Sequence, residues 1–150
     1  MPLALATVNT STDSQQPTGR SLRVGFLGPF GTFTEQAVRT QPDLDRGELV
    51  AFRSVPDVLD AVASGDLDFG VVPIENSIEG TVNFTQDALS FDYELLIQRE
   101  VVLNIEHCLM AMPGTLIAEI TSVLSIPVAT AQCHRYLREN VGNAEIHAAN

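Results

Sequence analysis

Apolar positions in the first half of the chain fall into short blocks, and the blocks alternate between two spacings. Arg23-Val24-Gly25-Phe26-Leu27, Glu48-Leu49-Val50-Ala51-Phe52 and Phe69-Gly70-Val71-Val72 are compact and rich in β-branched or aromatic residues, as buried strands are. Between the second and third blocks, Val55, Val58, Leu59 and Val62 recur at helical spacing. Ser54, with Asp57 three residues on, marks that helix's start, and Gly65 marks its end. Between the first and second, Thr32 and Glu35 form a capping box that opens a helix through Arg39. Strand, helix, strand, helix, strand with short loops predicts an α/β lobe built on a parallel sheet, over residues 21–97. Pro73 is expected to stop the third strand. A polar turn of Glu75, Asn76 and Ser77 then leads through Gly80 and Thr81 to a helix over residues 82–90.

The pattern continues less regularly beyond. Leu95-Leu96-Ile97 and the alternating residues 100–105 read as strand, and residues 107–112 read as another, ended by Pro113-Gly114. A short helix at residues 116–120, a strand at 122–125, a helix over about 128–139 and a strand at 145–149 complete a second lobe, residues 98–150. This lobe is expected to be incomplete at its C-terminus, because the sequence stops directly after a strand. Residues 1–20 are mostly polar and show no period, and Leu3-Ala4-Leu5-Ala6 lacks the basic flank and length of a signal peptide. They are read as a disordered extension.

Composition narrows the function classes. Hydrophobic residues make up 45% and charged ones 18%, which suits a soluble globular chain. The net charge of −11 argues against nucleic acid and anionic membranes as partners. No apolar run reaches membrane-spanning length. Cys108 and Cys133 lie far apart without metal-ligand spacing, so no metal is expected, and they read as buried thiols in a reducing, cytoplasmic setting.

Candidate chemistry lies at the strand ends. Side chains at the carboxyl edge of an α/β sheet line the crevice where such folds bind ligands, which singles out Glu75, Asn76, Ser77 and Thr81. The plainer reading is a strand-to-helix loop capped by Ser77 or Thr81. Glycines 25, 28 and 31 are spaced G-x-x-G-x-x-G with Pro29 in the turn, so a dinucleotide fingerprint is rejected. Thr32 either offers its hydroxyl beside free helix-start amides to a carboxylate or simply caps the helix. In the second lobe Ser125 stands at a strand end, and Gln132, which can donate and accept, lies on the helix beyond. Cys133 reads as core, and His107 as a hydrogen-bonded structural histidine rather than a base.

Taken together these blocks resemble prephenate dehydratase. The likeness is carried by residues 28–33, by the Glu75-Asn76-Ser77 block within residues 72–82, by residues 105–109, and by Ser125-Ile126-Pro127 with Gln132-Cys133. It covers residues 23–150 in order. The resemblance implies a two-lobed α/β fold like type II periplasmic binding proteins, with mostly parallel sheets flanked by helices and an active site between the lobes. It implies a carbon–oxygen lyase that converts prephenate to phenylpyruvate, water and carbon dioxide in phenylalanine biosynthesis, with no metal or organic cofactor. Matched to the family's motifs, Glu75, Asn76, Ser125 and Gln132 take substrate binding and catalysis. Thr32, Ser77 and Thr81 become substrate-binding partners. Prephenate is the implied partner, and the full-length enzyme is expected to be a homo-oligomer.

The family's Thr-Arg-Phe motif, whose Thr is the favoured proton donor and whose Arg grips a carboxylate, does not occur in these 150 residues, nor does the phenylalanine-sensing ACT domain. The chain is therefore read as an amino-terminal fragment. Glu75 could serve as proton donor only where its surroundings keep it protonated. The alternative function is a non-catalytic module that binds a small anion, and a weaker third is a fragment that only mediates assembly.

Overall fold

A computed structural model describes residues 2–10, 20–76 and 80–149. The chain divides into two compact units, Met1–Ile105 and Glu106–Asn150. The first is built on a sheet of strands β1 (Pro2–Asn9), β2 (Arg23–Leu27), β3 (Glu48–Phe52), β4 (Phe69–Asn76), β5 (Gly80–Thr81) and β6 (Leu96–Asn104). Its order is β3-β2-β4-β1-β6, with β5 paired to the end of β4. Strands β3, β2 and β4 are parallel, as the β-α-β rhythm requires, whereas β1 runs antiparallel to both β4 and β6.

Pro2–Asn9 overturns the expectation of a disordered extension. The segment forms an inner strand, and Leu5, Ala6, Thr7 and Val8 are fully buried. Uninterrupted apolar side chains are what an inner strand covered on both faces needs. Leu5 joins the core with Val24, Phe26, Val71 and Val101, while Ala6 and Val8 join the opposite core with Val58, Leu59, Val62 and Val72. Residues 11–19, the remainder of that expected extension, lie outside the described residues.

Helices cover both sheet faces. Helix α1 (Phe33–Arg39) and the single turn α2 (Pro42–Asp45) bury Ala37, Val38 and Leu44 against one face. Helix α3 (Val55–Ala63) lays Val55, Val58, Leu59 and Val62 on the other. Ser54 caps α3 by accepting from the Asp57 amide at 3.3 Å, and Gly65 follows its end with a φ of +82°. Helix α4 (Asn83–Asp87) continues as a π-helical turn over Ala88–Asp92.

Pro73 does not end its strand. The register jumps from Leu5↔Pro73 to Ala4↔Glu75, so Ile74 is an extra residue, a bulge beside the proline that lacks an amide hydrogen. The Ile74 carbonyl accepts instead from the Val82 amide at 2.9 Å.

The second unit pairs β7 (Ser122–Ser125) with β8 (Glu145–Ala148) in parallel. The helix expected over 128–139 is broken at Cys133 into α5 (Pro127–Gln132) and α6 (His134–Asn140). Val123, Leu137 and Val141 form its buried core. Residues 107–112, expected as a strand, are irregular, and Met110 and Met112 are 87% and 79% exposed. With no strand paired to them among the described residues, residues 107–112 gain nothing from an extended ladder.

Candidate functional site

The carboxyl edge of β2, β3 and β4 gathers the candidates of the first unit. Asn76 is the last residue of β4, and Glu75 precedes it. Both pair with β5, Glu75 opposite Thr81 and Asn76 opposite Gly80, so these polar residues stand on a hairpin stem rather than a loose loop. Because directly opposed residues share a face, the register puts Glu75 with Ala4 and Asn76 with Leu3. Leu3 packs on the core that α1 covers, so Asn76 lies on the α1 face and Glu75 on the opposite one. Glu75 and Thr81 are exposed and Asn76 is half-buried. Ser77, the third member of that block, lies outside the described residues.

Thr32 caps α1. Its hydroxyl donates to the Leu27 carbonyl at 3.2 Å and accepts from the Glu35 amide at 3.4 Å. The Glu35 carboxylate in turn accepts from the Gly31 amide and from Arg39 Nε, the latter at 2.8 Å. Donation from Gly31, then from Arg39, holds the Glu35 carboxyl below the usual carboxylate range. The helix start that could have held a substrate carboxylate is thus already occupied by one of the chain's own.

Gly28 is needed for packing. A Cβ there would meet the Ala51 Cβ at 2.9 Å, and its amide donates to the Phe52 carbonyl at 2.8 Å. Beside it, at the ends of β2 and β3, a hollow of about 340 Å³ is lined by residues that include Phe30, Phe52 and Arg53. Arg53 was missed by sequence reasoning. Its only signal was its place one residue past a strand, at the edge where an acidic chain most needs a cation.

In the second unit a larger hollow of about 970 Å³ brings together Ser125, Gln132, Cys133, His107 and Cys108. Ser125 ends β7, as expected, and Gln132 is the last residue of the six-residue α5. His107 Nε2 lies 2.9 Å from Gln132 Oε1. Gln132 Nε2 is buried with no hydrogen-bond partner among the described residues. An orphaned buried donor is costly, and it marks where a ligand oxygen fits. Both thiols are free, but they are not both buried as expected: Cys133 is half-buried, and Cys108 is exposed because it lies in the irregular segment after β6. Among the described residues no cluster of three His, Cys, Asp or Glu could hold a metal, and no helix is long and apolar enough to cross a membrane.

Residues 24–150 match the family model described as prephenate dehydratase. The chain belongs to that family. A prephenate dehydratase of Mycolicibacterium gilvum is 39% identical over 137 residues, covering 85% of this chain and 44% of its own length. That of Bacillus subtilis is 37% identical over 131 residues, covering 86% and 46%. The crystal structure of the Arthrobacter aurescens prephenate dehydratase in complex with L-Phe superposes with a TM-score of 0.75 at 36% identity, covering 85% of this chain and 42% of that one. That of Staphylococcus aureus gives 0.66 at 29% identity, covering 85% and 47%. The chain therefore spans less than half the length of these relatives. Strand β1 lies ahead of the family-matched residues, although it sits between β4 and β6 of this chain's sheet.

Proposed function

We propose that this chain supplies most of the substrate-binding surface of a prephenate dehydratase, a carbon–oxygen lyase of phenylalanine biosynthesis working in the cytoplasm. The observation that carries the reading is the family match over residues 24–150, with Asn76 and Ser125 at strand ends and Gln132 holding a buried donor unpartnered among the described residues. The reaction takes the prephenate dianion and one proton to the phenylpyruvate anion, carbon dioxide and water. The ring carboxylate leaves as carbon dioxide, and its electron pair enters the ring as the C–O bond breaks. The departing hydroxyl takes up the proton, and aromatisation drives the step.

Asn76, Ser125 and Gln132 are proposed, on the resemblance, to hold the substrate's oxygens through neutral donors. Glu75 is proposed as an acid or positioning group near the hydroxyl, and Thr81, its strand partner, as a lining hydroxyl, with Ser77 assigned on the resemblance alone. Thr32 is withdrawn from direct contact, because its hydroxyl already serves the helix cap. Arg53 replaces it as the charge at that edge. The assembled enzyme is proposed to be a homo-oligomer.

The test mixes prephenate with this chain, and with a chain extended through the family's Thr-Arg-Phe triplet, and follows phenylpyruvate absorbance at neutral pH. Asn76→Ala and Gln132→Ala each remove one ligand hydrogen bond, a loss of about 1–3 kcal/mol or roughly 5- to 150-fold in kcat/KM. Unchanged turnover removes those residues from the site. Saturable prephenate binding without turnover by either chain instead selects the anion-binding module.

A further inference from the structure

The contact between His107 and Gln132 has a direction. A carboxamide oxygen can only accept, so a 2.9 Å contact from Gln132 Oε1 to His107 Nε2 requires the hydrogen to sit on that imidazole nitrogen. The two ends of a carboxamide face opposite ways, so turning the oxygen to His107 turns the NH2 group away from it. That NH2 group is the buried donor left without a partner, and both residues line the hollow that also holds Ser125. The opposite arrangement needs a bare Nε2 and presents the amide oxygen, which selects a ligand donor instead.

We propose that His107 is a positioning residue: it donates from Nε2 to Gln132 Oε1 and so commits Gln132 to offer its NH2 group to an acceptor oxygen of the ligand. Where Gln132 touches prephenate, which rests on the reading above, that acceptor is a carboxylate or a keto oxygen. Gln132 sits at the end of a six-residue helix, and α6 starts two residues on, after the break at Cys133. Among the described residues, the contact with His107 is the hydrogen bond that the Gln132 side chain makes. His107 acts through Gln132 and takes no proton from the substrate.

The chain supplies an internal reference. His134 Nδ1 lies 3.0 Å from the Ala131 carbonyl, an acceptor, so that ring must carry its hydrogen on Nδ1. Long-range proton–nitrogen correlation on the 15N-labelled chain separates the tautomers of its three histidines. His107 is expected to show Nε2–H and His134 Nδ1–H, and the Gln132 NH2 resonance is expected to shift in His107→Leu. A bare Nε2 on His107, or an unmoved Gln132 resonance, overturns the proposal without reference to any ligand.

Prephenate titration supplies the functional arm. His107→Leu is expected to weaken binding at least 5-fold, and His107→Gln, whose amide nitrogen can still donate, is expected to return it to within about 2-fold. His107→Leu is expected to add nothing in a Gln132→Ala background. An additive loss there refutes the positioning role. Absence of prephenate binding by the unaltered chain, with the His107 and Gln132 signals as expected, sinks the substrate reading and leaves the positioning contact standing.

Discussion

Leu5→Ala tests whether β1 truly resides inside the sheet. Leu5 is fully buried and packs in one core with Val24, Phe26, Val71, Val101 and Leu103, which come from β2, β4 and β6. Truncation removes three carbons, worth about 0.8 kcal/mol each in transfer free energy, or about 2.4 kcal/mol in total. The surrounding strands are held by their ladders and cannot collapse fully into the space, so a cavity term raises the expected loss to about 3–4 kcal/mol. With a urea m-value of about 1.5 kcal/mol/M for a unit of this size, the midpoint falls by about 2 M.

The assay is urea unfolding followed by far-UV circular dichroism, with hydrogen exchange reporting the β4 and β6 amides separately. Leu124→Ala, on β7 and 68% exposed, is the control and is expected to stay within about 0.5 kcal/mol. A midpoint shift below about 0.3 M for Leu5→Ala, with unchanged protection in β4 and β6, would mean that the strand spends its time outside the sheet. The fold assigned to the first unit would then be wrong at its middle.

Two pH predictions follow from local contacts. Glu35 is depressed by the Gly31 amide and Arg39, so its contribution to stability is complete above the ordinary carboxylate value and is lost as pH falls toward the depressed folded one. Glu35→Gln is therefore expected to flatten the acid limb of a stability-against-pH curve between about pH 5 and 3, and an unchanged slope there refutes the contact. Tyr93 donates to Asp60 Oδ1 at 2.7 Å, and that bond, then burial, pushes its phenol up to about 12. Its contribution is present below pH 10 and lost above it. Ultraviolet titration is expected to show a late phenolate that vanishes in Tyr93→Phe, while a single ordinary transition in both proteins contradicts it.

Much of the fold was legible because its signals are local. Ser54 with Asp57 and Thr32 with Glu35 lie three residues apart, so each helix start could be read from its own neighbourhood. Strand β1 could not, since its partners are residues 70–76 and 96–104, and no nearby turn announces the pairing. Its apolar run was itself the signal of an inner strand, but the polar stretch after it suggested a tail. The candidate residues Asn76, Ser125 and Gln132 were found at strand ends and on the helix beyond. Thr32 was left between two readings because a helix cap and a ligand hydroxyl look alike in a sequence, and the cap is the one its hydrogen bonds display. His107 was read as hydrogen-bonded, but its partner 25 residues away follows no spacing rule.

The surplus Ile74 decides which side each of two neighbours serves. Were it an ordinary member of the ladder, Ile74 would stand opposite Ala4, and the carboxylate would fall opposite Leu3, where the amide now stands. Flattening the bulge with Ile74 retained trades an acid for an amide along that surface without altering either residue, whereas deleting Ile74 leaves Glu75 opposite Ala4. A replacement of Pro73 that draws Ile74 into the ladder therefore reassigns chemistry as well as shape.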